Sequence, residues 1–308
     1  MNSKKLNYII TISELQSISK AASQLFISQP SLSNIVSNLE KELGIKLFNR
    51  TTNPISLTYA GERYIETAKK ILSLEDNLKK ELSDISIIKK GKITIGIPSV
   101  RGTHVLPLIL PRFTKEYPGI EIALVEGNSN FLETALLSGK VDLVLTSLPK
   151  DNNKIACEIL YQERIMLACE KGYLDSIYPC KNNSNIISLN DIKDVGFILT
   201  KKSHSIRSLS EQLFDLHNFE PNIILETANT ATAFRLATSG IGVCFVSEMI
   251  LNTTTSINDF DLFHIENSPI KWDIAVLYLK NSYLTIAERY FIDLAKEVFI
   301  KNSNNDIK

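Results

Sequence analysis

The stretch from Ser28 to Gly44 constrains the chain more than any other. Ser28 before Gln29-Pro30-Ser31 reads as a helix start. Its hydroxyl can accept a first-turn N–H, and a proline there lacks only a donor that would have no helical partner anyway. Leu32, Ile35, Val36 and Leu39 then recur at helical spacing, and Gly44 supplies a stop. The opposite face holds Gln29, Ser31, Ser33, Asn34, Ser37 and Asn38. It is short, polar and uncharged, whereas a merely solvated helix face carries Glu and Lys. Such side chains suit a surface that enters a groove and hydrogen-bonds base edges.

The flanking sequence extends this reading. Leu6, Ile9, Ile10 and Ile12 form one apolar face, and Ala21, Ala22 and Leu25 form another on a short second helix whose alanines allow close approach. Two helices joined by a tight turn, the second with a reading face, describe a helix-turn-helix; an ordinary three-helix subdomain is the alternative. Ile55 and Leu57 alternate within a turn-rich stretch, which predicts a small β wing. Arg50, Thr51 and Thr52 are placed there to meet phosphates. Thr58 is set to cap a helix running to about Ile88. Its Leu57, Gly61, Tyr64, Ala68, Ile71, Leu78, Leu82 and Ile85 follow steps of four and three, broken once at Glu75. That is a heptad seam. A helix of about thirty residues spans ~45 Å, too long for a small module to cover, so it predicts a homodimer that presents two reading helices.

Composition supports two parts and excludes several classes. The 308 residues carry 34 Lys+Arg and 34 Asp+Glu, with 44% hydrophobic residues. Balanced charge and ordinary hydrophobicity exclude a disordered chain, and 12 Gly and 4 Cys exclude collagen-like and disulfide-scaffold classes. Residues 1–90 hold 13 Lys+Arg to 9 Asp+Glu, and the remainder 21 to 25. A basic front module on an acidic body hints at nucleic acid. Apolar runs such as Ile241 to Val246 fall far short of the ~20 residues of a spanning helix. The start lacks a signal-peptide pattern. No membrane association and a cytoplasmic location are therefore expected.

From Lys92 onward strands and helices alternate. Strands are expected at 92–98, 120–125, 141–146, 195–199, 222–225, 241–246 and 272–279. Helices are expected at 102–117, where Pro107 and Pro111 delay or bend the start, and at 131–138, 205–216, 229–239 and 284–299. The pattern predicts a mainly parallel sheet in two lobes, the last strand and helix returning to the first, with a cleft between them. The tail from Asn302 is expected to be disordered.

These residues together resemble a known family. Ser19-Lys20-Ala21-Ala22, Leu25, Ser28 to Ser33, Ile35, Leu39-Glu40, Leu43-Gly44, Leu47-Phe48, Arg50 and Leu57 to Gly61 match the winged helix-turn-helix of LysR-type transcriptional regulators in order and spacing. Gly91 to Gly96, Pro118-Gly119-Ile120, Gly139 to Leu143 and Gly240 to Val243 are similar to that family's effector-binding domain, which resembles periplasmic binding proteins. The resemblance implies a winged helix-turn-helix over residues 1–58, a linker helix over 59–90 and a two-lobed α/β effector domain over 91–308. Lobe 1 would take about 91–162 and 268–300, and lobe 2 about 163–267.

The resemblance also implies function. Double-stranded DNA, a small-molecule effector of anionic character and further copies of the chain, as homodimer or homotetramer, are the expected partners, with RNA polymerase open as another. No cofactor or metal is implied. Base contacts map to Gln29, Pro30, Ser33 and Asn34, with Ser31 and Ser37 nearby. Hydroxyls and helix starts around the cleft suggest Ser99, Arg101, Thr103, Thr146, Thr200 and Thr230 for the effector; each could instead be a plain helix cap. Arg101 with Lys201 would favour a carboxylate.

Two other readings compete with this one. An enzyme finds no support in His104, His204, His217 and His264, which are scattered, nor in any catalytic motif. A thiol switch would need Cys169 and Cys180, eleven residues apart, while Cys157 and Cys244 read as core strand residues. The cysteines form no C-x-x-C pair.

The chain departs from the family's pattern at two places on its DNA-facing module: Asn34 stands where Arg is frequent, and the wing around Asn53 lacks extra cations. Few phosphate contacts give a shallow dependence of DNA affinity on salt. Asn34→Arg should steepen the slope of log K against log salt by about 0.9 for each reading helix engaged, measured by gel shift between about 50 and 200 mM salt. An unchanged slope would exclude this account of Asn34.

Overall fold

The computed structural model describes residues 3–50, 52, 54–85, 90–149, 153–175, 185–248 and 259–305. They form two compact units, Met1–Ser86 and Ile87–Lys308.

The first unit is built on helices α1 (Ser3–Leu15), α2 (Ile18–Gln24), α3 (Gln29–Leu43) and α4 (Tyr59–Ile85), with strands β1 (Phe48–Asn49) and β2 (Ser56–Leu57) paired as an antiparallel wing. Ser17 caps α2 by accepting the Lys20 N–H, and Ser28 caps α3 by accepting that of Ser31. Its core joins Leu6, Ile9 and Ile12 to Ala21, Ala22, Leu32, Val36, Leu47 and Phe48.

The first half of α4 is covered by its own unit, contrary to expectation. Ile65 and Ala68 are buried in the unit's own core, with Tyr64 and Ile71 packed beside them. Beyond them Leu74, Leu78 and Leu82 are more than half exposed. The first half therefore docks at home, while Leu78 and Leu82 of the expected seam lie exposed with Leu74 beside them. Thr58 caps the helix, its hydroxyl accepting the Gly61 N–H at 3.0 Å.

The second unit has two sheet systems. The first has strand order β4-β3-β5-β13-β6, from β3 (Gly91–Ile97), β4 (Ile120–Glu126), β5 (Leu143–Ser147), β6 (Ile155–Glu163) and β13 (Trp272–Leu279). Helices α5 (Ser99–Glu116) and α9 (Ile286–Asn305) cover one face through Ile109, Phe113, Phe291 and Ala295, and α6 (Ser129–Leu137) covers the other. The second system orders β11-β7-β12-β8, from β7 (Ile165–Glu170), β8 (Ile186–Ile187), β11 (Cys244–Ser247) and β12 (Phe260–Ile265), with β9 (Gly196–Thr200) and β10 (Asn222–Thr227) as a parallel pair. A bridge from Phe197 to Val243 joins them. Helices α7 (Ser205–Leu216) and α8 (Thr230–Ala237) pack on separate cores around Phe197 and Ile198.

Several expectations need correction. The sheets are mixed rather than mainly parallel: β13 runs antiparallel to β5 and β6, and β7 to β11 and β12. The sequence pattern marks no strand at β7, β8 or β12, and marks β6 only through Cys157. Helices α5 and α6 begin at Ser99 and Ser129, earlier than periodicity suggested. Pro107 and Pro111 sit inside α5 on its exposed side, where solvent can take the carbonyls they leave unbonded. Cys157 is exposed on edge strand β6, not in a core. Helix α9 continues to Asn305, into the tail expected to be disordered. Thr51, Asn53, Ile88 and Cys180 lie outside the described residues.

Gly61 fixes how α4 meets the wing. A Cβ there would lie 2.1 Å from the Leu47 carbonyl oxygen, itself bonded to the Thr58 N–H. Gly61→Ala should destabilise the first unit by about 3 kcal/mol, because backbone rather than a yielding side chain must move. Urea unfolding followed by circular dichroism would measure it, and a change below about 0.5 kcal/mol would contradict the close packing.

Candidate nucleic-acid interface and ligand cleft

On α3, Gln29, Pro30, Ser31 and Asn34 are exposed, while Ser33 and Ser37 are half-buried beside them. Leu32, Val36 and Leu39 hold the opposite face in the core. The structure thus brings the expected reading residues together on one outward face, beginning at the N-terminal turn.

Arg50 is positioned by a buried acid. Glu40 is 2% exposed; one carboxylate oxygen accepts the N–H groups of Leu47 and Phe48, and the other meets Lys46 Nζ at 3.1 Å and Arg50 Nη2 at 3.3 Å. Burial alone would raise this carboxyl, but those N–H groups and cations together hold it below its ordinary value. Arg50 Nη2 also donates to Ser37 Oγ at 3.2 Å, so Arg50 and Ser37 act as one group. Thr52 is exposed and closes the wing, donating to the Asn49 carbonyl at 3.0 Å. Thr51 lies outside the described residues.

In the second unit a cavity of about 180 Å³ opens between the two sheet systems. The starts of α5, α6, α7 and α8 all reach it, through Ser99, Ser129, Ser205 and Thr230. Asn128 and Asn229 cap two of these helices through their side chains. Hydroxyls form a chain across the gap: Ser129 Oγ lies 2.9 Å from Thr146 Oγ1 and 2.7 Å from Ser205 Oγ, which is 2.8 Å from Ser147 Oγ. A second cavity of about 420 Å³ adjoins it and shares these groups.

Of the expected effector residues, Ser99, Arg101, Thr146 and Thr230 line the smaller cavity, and Thr103 and Thr200 do not. Thr103 is exposed and donates to the Ser99 carbonyl within its own helix. Thr200 is buried, its hydroxyl without a partner among the described residues. Arg101 is not a cation free for a carboxylate ligand. It is 5% exposed and forks onto Glu163, Nη1 to Oε1 at 2.7 Å and Nη2 to Oε2 at 3.3 Å, with Trp272 5.5 Å away. Lys201 is exposed and borders neither cavity. Sequence reasoning missed Ser129 and Ser205, although each is the first residue of a helix after a polar cap. It also left His104 and His204 unassigned. Both line the cavity, and burial holds both imidazoles below their ordinary pKa, with the Arg101 charge adding to the effect at His104.

Among the described residues, Cys169 and Cys244 are not placed to pair with each other. Cys169 and Cys244 occupy different cores on opposite faces of their sheet. Burial pushes the Cys169 thiol up to about 12 and the Cys244 thiol higher than its ordinary value. Such thiols are inert at neutral pH.

Comparison with known proteins agrees over both units. Residues 3–62 match the model described as bacterial regulatory helix-turn-helix protein, lysR family, and residues 89–300 that described as LysR substrate binding domain. An uncharacterized HTH-type transcriptional regulator of Bacillus subtilis (strain 168), YcgK, is 30% identical over 309 residues, covering 96% of this chain and 94% of its own. A probable RuBisCO transcriptional regulator of Trieres chinensis is 27% identical over 310 residues, 98% of each. Among solved structures, full-length CbnR complexed with target DNA is similar with a TM-score of 0.60 at 21% identity, covering 96% of this chain and 99% of that one. A full-length OxyR variant from Pseudomonas aeruginosa reaches 0.70 at 20% identity, covering 96% and 98%. At such identity these structures speak for the fold alone.

The Arg101–Glu163 pair is buried, so removing one partner strands the other's charge. Glu163→Ala should destabilise the second unit by about 3–5 kcal/mol, while the double change Arg101→Met with Glu163→Leu should recover most of it. Urea titrations of full-length protein decide this; equal losses in both variants would show that packing, not charge, is at stake.

Proposed function

The chain belongs to the LysR family of transcriptional regulators, and from that premise we propose that its cleft takes a small anion which changes how paired reading helices grip DNA. Gln29, Pro30, Ser33 and Asn34 contact base edges, with Ser31 and Ser37 beside them. Arg50, Thr51 and Thr52 contact phosphates. The exposed Leu74, Leu78 and Leu82 support pairing of α4 between two copies, and two such dimers can assemble as a homotetramer. We keep residues 1–58, 59–90 and 91–308 as the working domains. RNA polymerase is the partner through which such a change would reach transcription.

One observation carries the ligand reading: four helix starts converge on one cavity whose only permanent cation among the described residues is already neutralised by Glu163. Outward N–H groups and hydroxyls there favour an anion without a dedicated lysine or arginine. Ser99, Thr146 and Thr230 are the expected residues that fit; Ser129 and Ser205 join them. A ligand oxygen taking the place of the Ser205 bridge would alter the closure of the lobes. That shifts the population of arrangements, and with it the spacing of the reading helices and the bend in the DNA.

The charge logic predicts a pH dependence. His104 and His204 are biased toward the neutral form in the empty cleft. Glu163 is taken up by Arg101, so among the described residues lining the smaller cavity these imidazoles are the groups left to answer an anion's charge, while Lys202 and Lys271 line the larger one. A bound anion raises their pKa, so protons are taken up and binding tightens as pH falls. Full-length protein screened by thermal shift against carboxylates, phosphate esters and neutral metabolites should give a hit among the anions. Its shift over the ligand-free control should be larger at pH 6 than at pH 8, and the same compound should change a gel shift. Hits confined to neutral compounds would overturn the anion reading.

A further inference from the structure

We propose that Phe26 is a DNA-reading residue, its ring packing on the C5-methyl group of a thymine beside the segment that α3 reads. The inference rests on the DNA reading above and adds a contact outside the residues that reading uses.

The first observation is conformational. Helix α2 ends in a turn where Phe26 N–H donates to the Ser23 carbonyl at 3.3 Å and Ile27 N–H to that of Ala22 at 3.0 Å. This closure needs a left-handed residue, and Phe26 has φ 54°. Glycine or asparagine takes that place because a side chain there crowds the backbone. The same pair of hydrogen bonds recurs at Gly44, Gly139, Asn218 and Gly240, each with positive φ. Within this one chain, then, the turn uses Gly three times and Asn once; of the non-glycine residues at positive φ among the described residues, Gln16, Phe26, Asn218 and Asn267, Phe26 alone is apolar.

The second observation is exposure. Phe26 is 95% exposed, so its ring gains nothing from packing within its unit. A strained backbone and an aromatic ring in water fall on the same residue. Outliers of this kind mark places where function opposes stability. The position names the partner. Phe26 lies two residues before Ser28, the cap of α3, at the end that carries exposed Gln29 and Pro30. Reading helices address base edges with their N-terminal residues, and the thymine methyl is the apolar group offered in the major groove.

The test compares full-length wild-type protein with Phe26→Asn. A duplex is first recovered from a randomised pool by the wild type, and each thymine is then replaced singly by deoxyuridine, which lacks only the methyl. Wild type should lose about fourfold in affinity at one thymine of each half-site, the worth of one buried methyl. Phe26→Asn should bind the unmodified duplex several-fold more weakly, ignore that replacement, and melt no lower than wild type. Equal affinity of the two proteins overturns the proposal, as does the same deoxyuridine profile in both. A lower melting point, or loss of self-association in sedimentation, assigns the ring to folding or to a second copy and also overturns it. Failure to recover any duplex would instead sink the DNA reading itself.

Discussion

The first turn of an α-helix has more N–H groups than carbonyls to receive them, and this protein turns that imbalance outward at both candidate sites. Ser28 opens α3 with a hydroxyl and is followed by Gln29 and Pro30 on the surface. Ser99, Ser129, Ser205 and Thr230 open four helices onto one cavity. Short hydroxyl and amide side chains serve twice there: they can satisfy the turn, and they leave donors and acceptors facing a partner. This explains why neither surface needs many charges.

Two of the full charges near these surfaces, Arg50 and Arg101, are held by opposite ones. Glu40 gathers Lys46, Arg50 and two main-chain N–H groups, which fixes the wing against α3. Arg101 and Glu163 do the same beneath the cleft. Such pairs add little net stability by themselves. Their effect is to fix orientation, since breaking either leaves a buried charge unanswered.

Much of the first unit was legible because its signals are local. Ser28, Pro30 and Gly44 mark the ends of α3, and the four-residue spacing of Leu32 and Val36 fixes its buried face. The cleft was legible only in part. Thr146 and Thr230 follow from strand ends and helix starts, but Arg101 and Glu163 are 62 residues apart and nothing local couples them. The run Ile165 to Cys169 is wholly apolar and short, a pattern that cannot tell strand from helix. Strand β6 exposes Ile159 and Cys157 on an edge, so its alternation does not separate inside from outside. The prolines of α5 misled for a related reason: their cost depends on which side of the helix meets solvent.

The chain crosses between the two sheet systems twice, from β6 to β7 through Arg164 and from β12 to β13. The crossings run side by side, since β6 pairs with β13, Glu163 opposite Trp272, and β7 with β12. Two tethered ribbons in parallel resist twisting and sliding but share a single bending axis. The two halves can therefore open and shut like a book and do little else. The first sheet system owns sequence from both sides of the second, so a cut at either crossing parts β13 from the strands it pairs with, whereas the second system is one continuous stretch from β7 to β12.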